Sequence, residues 1–264
     1  MPDGERIFVN AIRAYCRARG IVCEVSQQGW LIVMARGGER RFAFGYDVGL
    51  NNAMAHRIAN DKSATAEVLA FAGIDCVPHT LFLSPKLGEH VARADSREAM
   101  LGLLRQYPDG IVVKPNEGTS GRSVCRVRTE AELDQAASEI FSAHLSLAIS
   151  PYVEIAEEVR VILLDGAPLA VYRKERISDW RHNLDFGARP VLLADGEARD
   201  ACVAVAIKAT DAIRIRFASI DVVRVGQSWR VLEVNSGVMM EALGRLHPGL
   251  VYQAYAAALD KVFE

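Results

Sequence analysis

The order of apolar and polar positions divides the chain into segments with two different periods. From Gly4 to Arg19, Ile7, Ala11, Ile12, Tyr15 and Cys16 recur at helical spacing and Gly20 follows as a stop, so a first helix is predicted. Between Ile21 and Tyr46 three short apolar stretches, IVCEV, WLIVMA and RRFAFGY, are separated by polar or Gly-containing turns, the pattern of a small antiparallel meander. Asn60-Asp61 can cap the helix KSATAEVLAFAG, which Gly73 ends. HTLFL then reads as a strand, Ser96–Gln106 as a helix, GIVVK and SVCRVR as strands around a Gly/Ser loop, and Thr129 with Glu132 three residues on as a capping box opening another helix. From Ser146 onward the pattern gives strands LSLAISPYV, EVRVILL and PLAVYRKE, with a turn at Asp165-Gly166. A polar stretch to about Arg189 and a helix over Glu197–Ile213 come next. FASIDVVRV and SWRVLEVN, joined at Gly226-Gln227, precede a closing helix near Leu250–Val262.

Composition narrows the function. The 264 residues carry 31 Lys and Arg against 33 Asp and Glu, so no whole-molecule field calls for a nucleic acid or an anionic membrane, and any phosphate site must be built locally. The five cysteines are scattered without metal-ligand or redox spacing, which reads as reduced thiols in a cytosolic protein. No charged-then-apolar leader and no apolar run of membrane-spanning length are present, so a soluble, cytoplasmic chain is expected.

Four segments carry candidate chemistry. Asp221, Glu233 and Asn235 sit on two adjacent predicted strands, where period-two geometry sends Glu233 and Asn235 to one face and lets Asp221 join them. Three hard oxygen donors suit magnesium; a polar strand face open to water is the bland alternative. Lys114 ends an apolar strand beside the loop Glu117-Gly118-Thr119-Ser120-Gly121-Arg122-Ser123, where an ammonium and loop amides could hold phosphates, although an ordinary surface hairpin reads equally well. The GxxxxGK[ST] order of a P-loop is absent. Backbone groups at Tyr152 and Val153 could meet the edge of adenine, with an acid among Glu154, Glu157 and Glu158 for ribose hydroxyls; a strand end with a solvated acidic loop is the alternative. Arg173, Lys174, Arg176 and Arg181 concentrate cations that could clamp a phosphoryl group and a carboxylate, or form a solvated basic loop.

In their order and spacing these segments resemble the ATP-grasp superfamily of carboxylate–amine ligases, including ribosomal-protein glutamate ligases, cyanophycin synthetases and D-alanine-D-alanine ligases. NDKSATAEVLAFAGIDCVPHT, VVKPNEGTSGRSV, SPYVEIAEEVRVILLDG, RHNLDFGA and IDVVRVGQSWRVLEVNSG carry the likeness, over about residues 55 to 243. The resemblance implies an α+β fold in which two α/β subdomains with antiparallel sheets grip ATP, preceded by a truncated N-terminal helix and meander. The expected division is 1–54, 55–150 for the lid subdomain and 151–264 for the nucleotide and metal subdomain. It implies phosphate or adenine contacts for Lys62 and Lys114 and a moving cover over 117–123, so that Glu117, Gly118, Ser120, Gly121 and Ser123 join the nucleotide site. It also implies Tyr152 and Val153 at adenine, Glu158 at ribose, and a substrate or phosphate role for Arg181 and Asn183, with Arg173 adding positive charge. Asp221, Glu233 and Asn235 become ligands of magnesium, with manganese as a substitute. The expected activity is ATP-dependent C–N ligation of an amino acid or short peptide through an acyl phosphate. A non-catalytic ATP-binding protein and an ATP-grasp phosphotransferase are the alternatives. Two departures, the short N-terminal piece and the tail SGVMMEAL, touch the substrate side, and the first suggests a homodimer whose second subunit completes the substrate wall.

Overall fold

In the computed structural model, residues 5–88, 95–118, 123–175 and 188–264 are described. The chain runs α1 (Ile7–Ala18), β1 (Val22–Val25), β2 (Leu31–Arg36), β3 (Glu39–Phe44), α2 (Ala53–Asn60), α3 (Lys62–Phe71), β4 (Thr80–Leu83), α4 (Ser96–Gln106), β5 (Ile111–Pro115), β6 (Cys125–Val127) and α5 (Glu130–Ala143). It continues with β7 (Ser146–Pro151), β8 (Glu157–Leu164), β9 (Ala167–Glu175), β10 (Arg189–Leu192), α6 (Glu197–Ile213), β11 (Phe217–Val225), β12 (Ser228–Asn235), α7 (Glu241–Leu246) and α8 (Pro248–Val262).

Three antiparallel sheets organise these elements. The meander β1-β2-β3 turns Ile32, Met34 and Ala43 inward, against α1, α8 and one face of the largest sheet. That sheet has the order β10-β9-β8-β11-β12, and its other face, lined by Val159, Val161, Leu163, Val171, Ala218, Ile220 and Val222, lies under α6. The third sheet, β4-β7-β5-β6, buries Ile111, Val113, Leu147 and Ile149 against α4 and α5. Burying such aliphatic side chains contributes roughly 1.5–3 kcal/mol each, which sets the three units apart as separate apolar clusters.

Local chemistry fixes the ends of the helices that matter for the site. Asp61 caps α3 by accepting from Ala64 N–H, and Thr129 with Glu132 forms the expected capping box on α5. Asp165 (φ 48°) and Gly166 (φ 78°) make the tight turn between β8 and β9. Three short elements were not anticipated: α2, β10 and α7. The apolar residues of α2 and α3 pack on α6 and β12 as part of the cluster under the largest sheet, so residues 55–71, which the sequence division places with the lid, contact the larger sheet's unit.

Two irregularities place functional groups. β11 and β12 pair Asp221 with Glu233 and then Val222 with Val231, so Leu232 is an unmatched bulge residue. The extra residue lets Val231 and Val234, three apart, both reach the same apolar cluster while Glu233 and Asn235 face the other side. Upstream of β4, Val77 N–H donates to Val231 O at 2.9 Å and Val231 N–H to Asp75 O at 3.0 Å, tying the strap into the four-stranded sheet to the strand that bears Glu233. All five cysteines are free. Among the described residues no helix is long and apolar enough to cross a membrane.

Candidate active site

The seam between the two larger sheets holds a pocket of about 270 Å³ whose lining includes Asn60, Lys62, Glu117, Gly118, Glu233 and Asn235. Each wall has a local cause. Lys62 opens α3, and its backbone N–H donates to Asn116 O at 3.2 Å, while Asn116 Oδ1 accepts from Ser63 N–H at 3.1 Å and Ser63 Oγ at 3.0 Å. This clamp fixes the start of α3 to the end of β5, so the two lysines on those elements cannot drift apart.

Both lysines then turn toward one carboxylate. Lys114 Nζ lies 3.3 Å and Lys62 Nζ 4.0 Å from Glu233 Oε1, and Lys62 also donates to Gly118 O at 2.9 Å. Burial pushes the Lys114 ammonium below the usual lysine range, with Glu233 opposing the shift. Burial alone would raise the Glu233 carboxyl, but Lys62 and Lys114 outweigh it and hold it low.

Behind Glu233 lies a second charge cluster. Arg160 holds Asp221 bidentately, Nε to Oδ1 at 2.7 Å and Nη2 to Oδ2 at 2.7 Å. Lys174 lies 2.9 Å from Asp221 Oδ2 and also pairs with Glu158. Burial would raise the Asp221 carboxyl, yet Arg160 and Lys174 overcome it and keep it far below the ordinary carboxylate range. Two cations and two anions therefore balance inside the sheet face, and Asp221 carries its charge already matched. The Tyr172 hydroxyl lies buried beside them, and the buried Asn235 Nδ2 at the pocket has no hydrogen-bond partner among the described residues.

Placement of the expected residues is uneven. Lys62, Lys114, Glu117, Gly118, Glu233 and Asn235 come together, with Asp221 directly across from Glu233 in the β11–β12 register. Tyr152 and Val153 follow β7 at the Ile111 end of the four-stranded sheet, three residues along β5 from Lys114, or roughly 10 Å at 3.4 Å per residue. The Tyr152 hydroxyl bonds Glu154 Oε2 at 2.8 Å, and the Arg126 guanidinium lies 3.2 Å from its ring centroid. Glu158 is buried in its pair with Lys174, so ribose contact would require that pair to open. Ser123 stands exposed at the far end of the loop with φ 55°. Arg181, Asn183, Ser120 and Gly121 lie outside the described residues.

Arg173 is a correction. It sits opposite Val159 in the β8–β9 register, and Val159 lies on the face under α6, so Arg173 faces away from Asp221 and reaches Glu157 at 3.9 Å and Glu175 at 3.4 Å. Its neighbour Lys174 takes the site face instead, with Arg160 two strands' width from β12. Neither was expected to join the metal residues. Strand parity groups Tyr172 with Lys174 and Glu158 with Arg160, but only the pairing with the neighbouring strand says which side meets the site.

A family model described as the RimK-like ATP-grasp domain matches residues 59–247. The chain belongs to this family. Among its relatives are probable alpha-L-glutamate ligases from Klebsiella pneumoniae (strain 342), 25% identical over 197 residues, and from Pectobacterium carotovorum subsp. carotovorum (strain PC1), 28% identical over 200 residues. Each alignment covers 74% of this chain and 61% or 60% of the relative, so the chain spans about three fifths of the length of the curated proteins it matches. The ribosomal protein bS6–L-glutamate ligase of Escherichia coli (strain K12 / DH10B) is 25% identical over 198 residues, covering 74% of this chain and 61% of its own. Two solved structures show the same fold. D-alanine–D-alanine ligase from Bacillus anthracis complexed with ATP has a TM-score of 0.58 at 17% identity, covering 81% of this chain and 71% of that one. D-cycloserine synthetase DcsG has a TM-score of 0.58 at 22% identity, covering 77% and 71%. The α+β ATP-grasp architecture expected from the motifs is therefore the fold of this chain.

Proposed function

We propose that the chain is an ATP-dependent carboxylate–amine ligase that works through an acyl phosphate and releases ADP and phosphate. The convergence of Lys62 and Lys114 on Glu233, beside Asn235, at a seam between two sheets carries this reading. A carboxylate resists an amine because its leaving group would be oxide. Phosphorylation removes that obstacle: a carboxylate oxygen attacks the γ-phosphorus, ADP departs, the amine attacks the acyl carbon, and phosphate leaves as the amine gives up its proton.

The residues present suit both nucleotide and metal. Two ammonium groups facing a pocket can exchange a carboxylate partner for phosphate oxygens. Glu233 and Asn235 offer hard oxygen donors at the pocket, and among the described residues Asn235 Nδ2 makes no competing hydrogen bond. Asp221, whose oxygens already accept three bonds from Arg160 and Lys174, has one lone-pair direction left for a shared ion. A bound magnesium ion would neutralise the nucleotide phosphates there. Lys62 and Lys114 would hold fixed positive charge where the transferring group spreads negative charge, and Glu117 and Gly118 would close the pocket against water that hydrolyses an acyl phosphate.

The activities for which the relatives and neighbours are named support an amino acid or short peptide as substrate. Five free cysteines suit a cytosolic setting. The test is incubation with ATP, magnesium and pooled amino acids, with ADP and phosphate assayed and products identified by mass. Release of AMP would reject the acyl-phosphate route. The prior commitment of Asp221 to Arg160 and Lys174 favours one second reading, a nucleotide-binding protein without turnover. Stoichiometric ATP binding with no ADP formed from any pool would favour it.

A further inference from the structure

The outward face of the meander is apolar where a solvent-facing sheet ordinarily carries polar side chains. While Ile32, Met34 and Ala43 point into the core, the opposite positions hold Val22 on β1, Leu31 and Val33 on β2, and Phe42 and Phe44 on β3. Exposure is 59% for Val22, 40% for Leu31, 54% for Phe42 and 61% for Phe44, and Trp30, 48% exposed, stands edge-on to Phe44 at 6.1 Å. With whole aromatic side chains presenting about 150–250 Å², this patch amounts to roughly 450–500 Å² of apolar surface.

Among the described residues, the outward positions of the three strands carry two charges, and they occupy opposite corners. Glu24 lies in the row of Val33 and Phe42, and Arg40 in the row of Ala35 and Val22, one on each outer strand. Neither has an ion-pair partner among the described residues. One acid and one base give the face no net sign, which argues against an anionic membrane or a nucleic acid.

We infer that this face is a self-complementary interface that docks a second copy of the chain, sheet against sheet, about a two-fold axis running along the strands. That operation lays β1 of one protomer over β3 of its partner. Glu24 then meets the partner copy's counterpart of Arg40, one pleat repeat of about 7 Å away along the strand, and the pairing occurs twice. An axis across the strands would instead set each outer strand against itself and leave the charges apart. The area also agrees, since about 800 Å² per partner is typical and about 60% of it apolar, close to this patch with its polar rim. Aligned sheets of this kind pack about 10 Å apart, within reach of Phe42, Phe44 and both charged side chains. The inference is independent of the ligase reading.

Sedimentation velocity on the full chain decides it. Interfaces of this size bind at micromolar or tighter, so a dimer is expected at about 10 µM. Phe42→Asp should weaken it more than about 30-fold, the loss typical of a central aromatic anchor. Glu24→Arg should weaken it about tenfold, and Glu24→Arg combined with Arg40→Glu should restore wild-type association, a recovery that a folding defect could not produce. A wild-type chain that stays monomeric to about 100 µM, or a dimer indifferent to Phe42→Asp and to the charge reversals, would overturn the inference, as would a monomer that binds only some other protein through this face.

Discussion

Replacing Asp221 by Asn tests the idea that the heart of the largest sheet is a closed set of charges. Arg160, Lys174, Glu158 and Asp221 now balance, and the variant leaves Arg160 with a neutral amide and the cluster with one uncompensated positive charge. With the Asp221 side chain 4% exposed and that of Lys174 5% exposed, water cannot make up the loss. Breaking a buried pair from one side costs about 3–5 kcal/mol, a large share of the roughly 5–15 kcal/mol that holds a domain together. For a chain of this length that corresponds to a melting temperature lower by about 10 °C. Urea unfolding followed by far-UV circular dichroism and by fluorescence of Trp229 on β12 would measure it. Adding Lys174→Met should recover at least half of the loss, because Arg160 and Glu158 then balance alone. The pH dependence has a fixed sign. The Asp221 carboxyl titrates below its ordinary value of 3.8 in the folded chain, so the native state binds fewer protons than the unfolded one in acid. Its stabilisation is complete above about pH 5 and disappears as pH falls through the folded pKa. The difference between wild type and variant should therefore be flat from pH 7 to 5 and shrink below about pH 4. A difference under about 1 kcal/mol at pH 7, or one unchanged at pH 3, would refute the buried-cluster account.

Further outcomes follow from the same geometry. Glu233→Gln should lower ADP release at least about 100-fold while leaving the circular dichroism spectrum unchanged; an unaltered rate would remove Glu233 from the site. Because Lys114 loses its proton below the usual lysine range, ATP affinity should fall as pH rises toward 10, with proton uptake on binding detectable by calorimetry in buffers of different ionisation heat. Lys114→Arg should flatten that profile. Gly110, at φ 93°, should not accept a side chain, because a Cβ on its backbone would stand only 2.6 Å from Val127 O. Gly110→Ala is expected to cost about 1–3 kcal/mol, seen as lost amide protection in β5 and β6.

Much of this was legible in the order of residues because the relevant signals are local. The capping box at Thr129, the Asp165-Gly166 turn and the boundaries of α4 and α6 all follow from groups within a few positions of each other. α2 escaped notice because AMAHRIAN offers just 8 residues and two buried alanines, too little for a clear apolar stripe. β10 and α7 are short as well, 4 and 6 residues. At the site, the lysines and the acids of β11 and β12 could be found from their strands, but the choice between Arg173 and Lys174 could not. Val171 and Tyr172 are both buried, so both faces of β9 are apolar just before the two cations and alternation carries no information there. Pairing with Val159 and with the strand beyond settles the matter, and that is a property of the assembled sheet. The partnership of Arg160 with Asp221 likewise spans 61 positions.

Leu232, the bulge residue of β12, marks the one point in this hairpin where the strand carries a residue more than its ladder needs. Removing it would leave Val231 and Val234 two positions apart, the spacing at which plain alternation already sends both to the apolar layer, so Val231 would stay opposite Val222 and the ladder would close without the kink. Shortening by a single residue is thus open to this hairpin at Leu232, and a designer wishing to trim the strand should begin there and leave the Gly226-Gln227 tip intact.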